Sequence, residues 1–582
     1  MRTKYVGATL LLVFLLSYQL QAQELKKSTF HLAPKETIAL LQVPRVSLVI
    51  EKALGYVEKL ELHRFDEVKE FLESTPFQRF THLLKYLEKV YHRPWAQLLS
   101  DLTHEGITVA LVPVPAVKDP QILTVVEGRD ADLLQKVFQA LLALVKEEAS
   151  HSVTPLSVRQ KEHRQVQVYS LGDKLFLAQH QTYFLAATHS SLITQTIEQL
   201  VDSQGSSIQS HPRFVSAEIP SSPGLVAWGW LDLDFLKTTQ AESLEQFKLP
   251  TNDLIPQLLF GGLADAVFRS SHVWLSVQLD EQGPRLELSS PAGRSMAQEG
   301  ARLLHMHDPA QGGTLPLLFP QGTLYSTSFY WNLGDAWKQR EKLFQEGAIK
   351  DFEEGDKAVR PFLAGNSLSR LFELLGARHR FVATRQRSTG YSIKAKSTLP
   401  GMGLVLECRE AEQFEKLLNL PLRGAGLLFY AAVQLRYFEE QHEGHKITGY
   451  RFAEVEKNKA YQQGYYFNFS PCFVRVGKYF VLSSTQELCR DLVTELKKEP
   501  EQPVYEPADM RQQFSWSALG TALAAERPLV ITELTLRHGG SPERIEEQMN
   551  QLLHLLHKLG TVELNIHHSP AFKLEMVTNY SR

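Results

Sequence analysis

The sequence predicts an α+β fold of two homologous lobes, each a mainly antiparallel curved sheet backed by helices, in a pseudo-twofold duplication. Three observations carry this expectation. TYFLAATHSSLITQTIEQL (residues 182–200) and KYFVLSSTQELCRDLVTEL (residues 478–496) align without a gap at an offset of 296, with Tyr183/Tyr479, Phe184/Phe480, Leu192/Leu488 and Leu200/Leu496 identical. TVVEGRDADLLQKV (124–137) and LVLECREAEQFEKL (404–417) repeat a strand running into a helix at an offset of 280, matching at Glu127/Glu407, Arg129/Arg409, Ala131/Ala411 and Lys136/Lys416. The strand-like segments alternate or come in hairpin pairs, with turns such as GD (172–173) and DEQG (280–283). Hairpin pairing favours antiparallel sheets with helices on one face over a doubly wound βαβ arrangement.

Taken in order, the chain opens with Arg2 and Lys4, an apolar run over 6–16 and the small residue Ala22. That pattern reads as a secretory signal peptide, 1–22, and stands outside the fold. Lobe one spans 23–304. It begins with PKETIALLQV (34–43), whose counterpart is PQGTLYSTSF (320–329). Phe77, Phe80, Leu84, Leu87 and Tyr91 fall three and four apart, the stripe of an amphipathic helix. Leu368, Leu371, Phe372 and Leu375 repeat the stripe in the second half. THEGITVALV (103–112) and ARHRFVATRQ (377–386) follow as strands. Asp130 and Glu410 fall in the first turns of the next helices, where a carboxylate favours the dipole. LVAWGWLDLDFL (225–236) reads as a long strand, with PLVITELTLRHG (528–539) as its duplicate. Closing hairpins are expected over 273–288 and 562–576. The Gly- and Pro-rich stretch 305–321 reads as a linker, and 322–582 as lobe two.

Composition bounds the function. The 582 residues are 43% hydrophobic and 10% aromatic, with a net charge of −3 and no dominant basic face. Globular packing is expected, and nucleic acid is not an expected partner. No nucleophile elbow, phosphate loop, zinc helix or calcium loop occurs, so neither a catalytic residue nor a cofactor is assigned. The three cysteines, Cys408, Cys472 and Cys489, read as buried small hydrophobes, with one disulfide among them as the other option. Histidines are numerous but poorly organised. His305 and His307 with Asp308 have ligand spacing, yet lie in the linker, so no metal site is assigned.

Function is expected where the two halves differ. Period two places Trp228, Trp230, Asp232 and Asp234 on one strand face, with Leu225, Ala227, Leu231, Leu233 and Phe235 toward the core. Such a face suits a sugar, cation or peptide. Tyr169 pairs with Tyr450 at an offset of 281, so the second half carries fifteen extra residues (296 − 281) within 454–471. Tyr461, Tyr465 and Tyr466 in that insertion are candidate contact residues. Asn468 opens a glycosylation sequon that Pro471 disfavours.

At FNFSPCFVRVGKYFVLSSTQELCRDLV (467–493), GTLYSTSFYWNLGDAW (322–337) and YLEKVYHRPWAQLLSDL (86–102), the chain resembles exported bacterial proteins, frequent in planctomycetes, that are grouped as a domain of unknown function. The resemblance spans the chain beyond residue 22. It implies an exported bacterial protein and transfers no catalytic residue. The expectation is an exported, secreted or periplasmic, non-enzymatic binding or scaffold protein, its partner an envelope protein or a small ligand. One alternative is a carrier of an apolar small molecule between sheet and helices, which requires a cavity of several hundred Å3. The other is a hydrolase with a distributed site.

Overall fold

The computed structural model describes residues 29–581, except 116, 152–156, 204, 215–217, 240–253, 345, 362, 364, 389, 394, 396, 434, 455–464 and 501–503. The signal-peptide reading and Tyr461 lie outside the described residues. The chain divides into two compact units, one up to Ala241 with Ser271–Ser289, the other Glu242–Ser270 with Ser290–Arg582.

The first unit contains β1 (Ala39–Val43), β2 (Ile107–Val112), β3 (Gln121–Glu127), β4 (Val158–His163), β5 (Val166–Leu171), β6 (Leu175–His180), β7 (Tyr183–Ala187), β8 (Leu225–Asp232), β9 (His272–Leu279) and β10 (Pro284–Ser290). Their antiparallel pairings give the order β4-β5-β6-β7-β3-β2-β1-β8-β9-β10. The fold class is therefore α+β with antiparallel sheets.

The second unit contains β11 (Thr323–Tyr330), β12 (Leu375–Thr384), β13 (Gly401–Cys408), β14 (Leu435–His442), β15 (His445–Phe452), β16 (Cys472–Val476), β17 (Tyr479–Ser483), β18 (Met510–Ser515), β19 (Thr561–His567) and β20 (Phe572–Asn579). Their order, β14-β15-β16-β17-β13-β12-β11-β18-β19-β20, repeats the pairings of the first ten strands one for one.

Helices cover both faces of each sheet rather than one. In the first unit, helix Ser190–Asp202 buries Leu192, Ile193 and Ile197 with Leu123, Val125 and Leu185. On the other face, helix Val46–Lys59 packs Val46, Val49 and Ile50 near Ala227 and Val277. Helix Ala131–His151 adds Phe138 and Leu142 against Tyr169 and Phe184. Asp130 caps that helix, its Oδ1 accepting from Leu133 N at 3.1 Å. The second unit follows the same plan. Helix Gln486–Lys497 seals one face with Leu488, Leu492 and Val493, and helix Ala411–Val433 packs Phe414 on Phe480 across the other.

One sequence expectation is corrected. Residues 528–539 are no strand: Arg527–His538 is a helix, entered through Pro528 and ended by Gly539 at φ 66°. The strand equivalent to β8 by pairing is β18. β-branched residues lower helix propensity only slightly, and tertiary context overrides the preference. Within 305–321, Met306, Thr314, Leu315 and Leu318 are buried and the last two join a core cluster. Helix Leu254–Arg269, which lies in sequence between β8 and β9, belongs to the second unit. Its Gly262 would place a Cβ 2.6 Å from the His305 Cβ, and its Leu258 carbonyl accepts from Trp331 Nε1 at 2.8 Å.

His379 in β12 is fully buried, its Nε2 3.3 Å from the Trp331 carbonyl, and burial pulls its pKa down to about 4. The unfolded chain therefore takes up the proton first, near pH 6.5. Stability contributed by neutral His379 is complete above that pH and drains toward pH 4. Over that range the loss is up to about 3 kcal/mol. Urea midpoints at pH 7 and pH 4.5 are expected to differ less in His379→Gln than in the wild type; equal differences would exclude His379 as the source.

Candidate functional site

The tryptophan face is core. Trp228 and Trp230 are 1% and 2% exposed and point into the largest apolar cluster of the first unit. Trp228 meets Phe30 edge-on at 5.6 Å and Trp274 at 5.6 Å, while Trp230 meets Phe214 at 5.6 Å. The cover comes from the short 3-10 helix that holds Phe30 and from the segment around Phe214, neither of them part of the sheet. The opposite face, with Ala227, packs under helices, so both faces of β8 are occupied.

The two aspartates do not share a strand face either, because β8 ends at Asp232 and helix Leu233–Thr239 follows at once. Asp232 is 3% exposed. Its Oδ1 accepts from Phe235 N at 3.0 Å, and its Oδ2 takes Arg213 Nη1 at 2.7 Å. Asp234 pairs with Arg213 at 3.3 Å and Lys237 at 3.2 Å. His211 Nε2 lies 3.5 Å from Asp232, and burial lowers the His211 pKa despite that carboxylate. Asp232 thus starts a helix and anchors Arg213; the geometry supplies neither a sugar-binding nor a cation-binding face.

In the insertion, the described residues 465–468 form a short 3-10 turn. Tyr465 is 46% exposed, and Tyr466 leans on Phe452 at 5.2 Å. Phe467 is buried edge-on to Tyr391 at 5.1 Å. Asn468 is buried as well. Its Nδ2 donates to Ser397 O at 2.9 Å and its Oδ1 accepts from Leu399 N at 2.8 Å. The sequon side chain is therefore consumed in pinning the loop. Of the insertion's described candidates, Tyr465 alone stands open.

His307 gains a role that sequence reasoning did not give it. Asp509, 3% exposed, accepts from His307 N at 2.7 Å and His568 N at 2.8 Å, and lies 2.6 Å and 3.0 Å from their Nδ1 atoms. Burial opposes its charge, but the hydrogen bonds from His307 and His568 outweigh it and hold the carboxyl well below the usual range. His305 packs instead on Gly261 and Gly262. Among the described residues, no group of three or more His, Cys, Asp or Glu side chains is arranged to hold a metal ion.

The feature suited to a ligand lies in the second unit. Strand register sets Phe381, Leu404, Leu482 and Phe473 side by side across β12, β13, β17 and β16. Directly paired residues point to the same side of a sheet, so the four make one apolar floor. An open cavity of about 420 Å3 sits on it, bounded also by Leu422 of helix Ala411–Val433, Leu435 of β14 and Met402 at 46% exposure. Pro421 lies inside that helix and lacks the N–H for the carbonyl four residues back. The polar wall groups are already engaged. Ser483 Oγ donates to Thr485 O at 2.8 Å, Tyr450 OH donates to Arg423 O at 2.8 Å, and Ser484 Oγ accepts from Met402 N at 2.8 Å. The wall therefore offers contact area and few free hydrogen bonds. Under helix Ala131–His151 of the first unit, Phe138, Leu142 and Tyr169 form an apolar cluster with Leu177 and Phe184 against it.

No protein-family model matches this chain, and no curated protein matches it. Among solved structures, crystal form I of TP0453 is similar at 11% identity, covering 46% of this chain and 79% of that one, with a TM-score of 0.24. Crystal form III of TP0453 gives 12% identity, 49% and 89% coverage, and a TM-score of 0.25. Likeness at that level carries no argument about function. Among the described residues, no helix is long and apolar enough to cross a membrane.

Proposed function

We propose that this is an exported, non-enzymatic binding protein whose second unit holds an apolar small molecule between sheet and helix. The cavity carries the reading: its volume of about 420 Å3 falls within the range of small-molecule sites, and its floor is a continuous apolar row. Apolar burial without new polar partners drives such binding. Export is supported by the charged and then apolar start of the chain and by the resemblance to exported bacterial proteins. The sequence offsets and the repeated strand pairing support an internal duplication.

The test uses N-phenyl-1-naphthylamine, an uncharged apolar fluorophore. Saturable one-to-one binding to the full chain is expected. Leu404→Trp, which places an indole on the floor, is expected to weaken it at least tenfold while circular dichroism and the thermal midpoint hold. Non-saturable uptake, or equal affinity in the variant, would reject the cavity as the site.

A further inference from the structure

Two of the three cysteines converge on one backbone carbonyl. Cys472 opens β16, and Cys489 lies in the first turns of helix Gln486–Lys497, which covers that strand. Cys472 Sγ donates to the Thr485 carbonyl oxygen at 3.4 Å, and the backbone N–H of Cys489 donates to that same oxygen at 3.1 Å. Both are enclosed, in a cluster with Val474, Val481 and Leu492. Cys408 belongs to a different cluster, its thiol 3.7 Å from Leu406 O. At the offset of 296 the first half places Phe176 and Ile193 at the paired positions, so the scaffold does not itself require sulfur there.

We propose that Cys472 and Cys489 form a disulfide when the chain folds in an oxidising environment, leaving Cys408 as the free thiol. The oxidant is an external disulfide, of a small thiol or an oxidoreductase. One cysteine thiolate attacks it, forming a mixed disulfide and releasing one thiol. The second cysteine then displaces the other, so two electrons and two protons leave on two reduced thiols. Burial raises the Cys472 thiol well above its ordinary value, with Cys489 adding to the effect. Thiolate is the attacking form, so exchange runs while the strand and helix are still open and is slow in the folded, reduced protein. The bridge joins two positions 17 apart (489 − 472) and ties β16, which lines the cavity, to the helix behind it.

The full chain is refolded from denaturant with oxidised and reduced glutathione, then denatured, alkylated with N-ethylmaleimide and weighed. One adduct is expected, with a tryptic peptide pair joining Cys472 to Cys489, against three adducts after reduction. Cys472→Ala and Cys489→Ala should each give two adducts under the same oxidising conditions. Reduction should lower the thermal midpoint of the wild type by at least about 2 °C and leave either variant unmoved. Three adducts on the oxidatively refolded wild type, a bridge to Cys408, or a midpoint indifferent to reduction would overturn the proposal.

Discussion

Trp228→Ala is expected to destabilise the first unit by about 3–5 kcal/mol, the cost of removing a buried aromatic and leaving a cavity. The indole touches Phe30, Phe214 and Trp274, and its Nε1 has no hydrogen-bond partner among the described residues. The loss is therefore one of packing and aromatic contact rather than of a polar bond. Trp228→Phe should recover part of it. Asp234→Asn, at a half-exposed ion pair, should stay within about 1 kcal/mol. Urea denaturation followed by far-UV circular dichroism gives the ranking. A Trp228→Ala protein as stable as the wild type would mean that this face is not the core of the unit.

The second large effect belongs to Asp509. Asp509→Ala leaves the buried backbone N–H groups of His307 and His568 without their acceptor and removes the partner of both imidazoles. Stranding groups of this kind costs about 3–5 kcal/mol. The pH dependence has a definite sign. The Asp509 carboxyl is held below its unfolded value. Its contribution is thus complete above about pH 4 and is lost as pH falls further. The stability gap between wild type and variant should be full at pH 7 and narrow below pH 4, as followed by denaturant titrations across that range. A gap that widens on acidification would contradict the assignment.

How much of this was legible follows from the kind of signal each feature leaves. The helix over Thr75–Tyr91 announces itself, because apolar residues three and four apart define a stripe wherever the chain later packs it. Phe184 and Phe480 were legible as a pair and prove to do the same work, packing on Phe138 at 5.7 Å and Phe414 at 5.2 Å. Trp228 and Trp230 do share one side of β8, as period two requires. Period two does not say which side is wet, and the cover comes from a single 3-10 turn and a loop, neither long enough to show a period. Asp232 was misplaced for a different reason: the strand ends there, and its carboxylate turns to the helix that begins. Asp509 left no motif, since its partners lie 202 and 59 residues away. The cavity left none either. Phe381, Leu404, Leu482 and Phe473 each look like ordinary strand residues, and only register assembles them.

The placement of helix Leu254–Arg269 bears on where this chain can be cut. The two halves read as separate cassettes in sequence, yet a gene break at residue 304 would carry off a helix that packs with the downstream half. His305 would lose its glycine seat, and Trp331 would lose the carbonyl that receives its indole. Cut at residue 304, the downstream half loses packing that belongs to it. The cut that the sequence suggests is therefore not the cut that the packing allows.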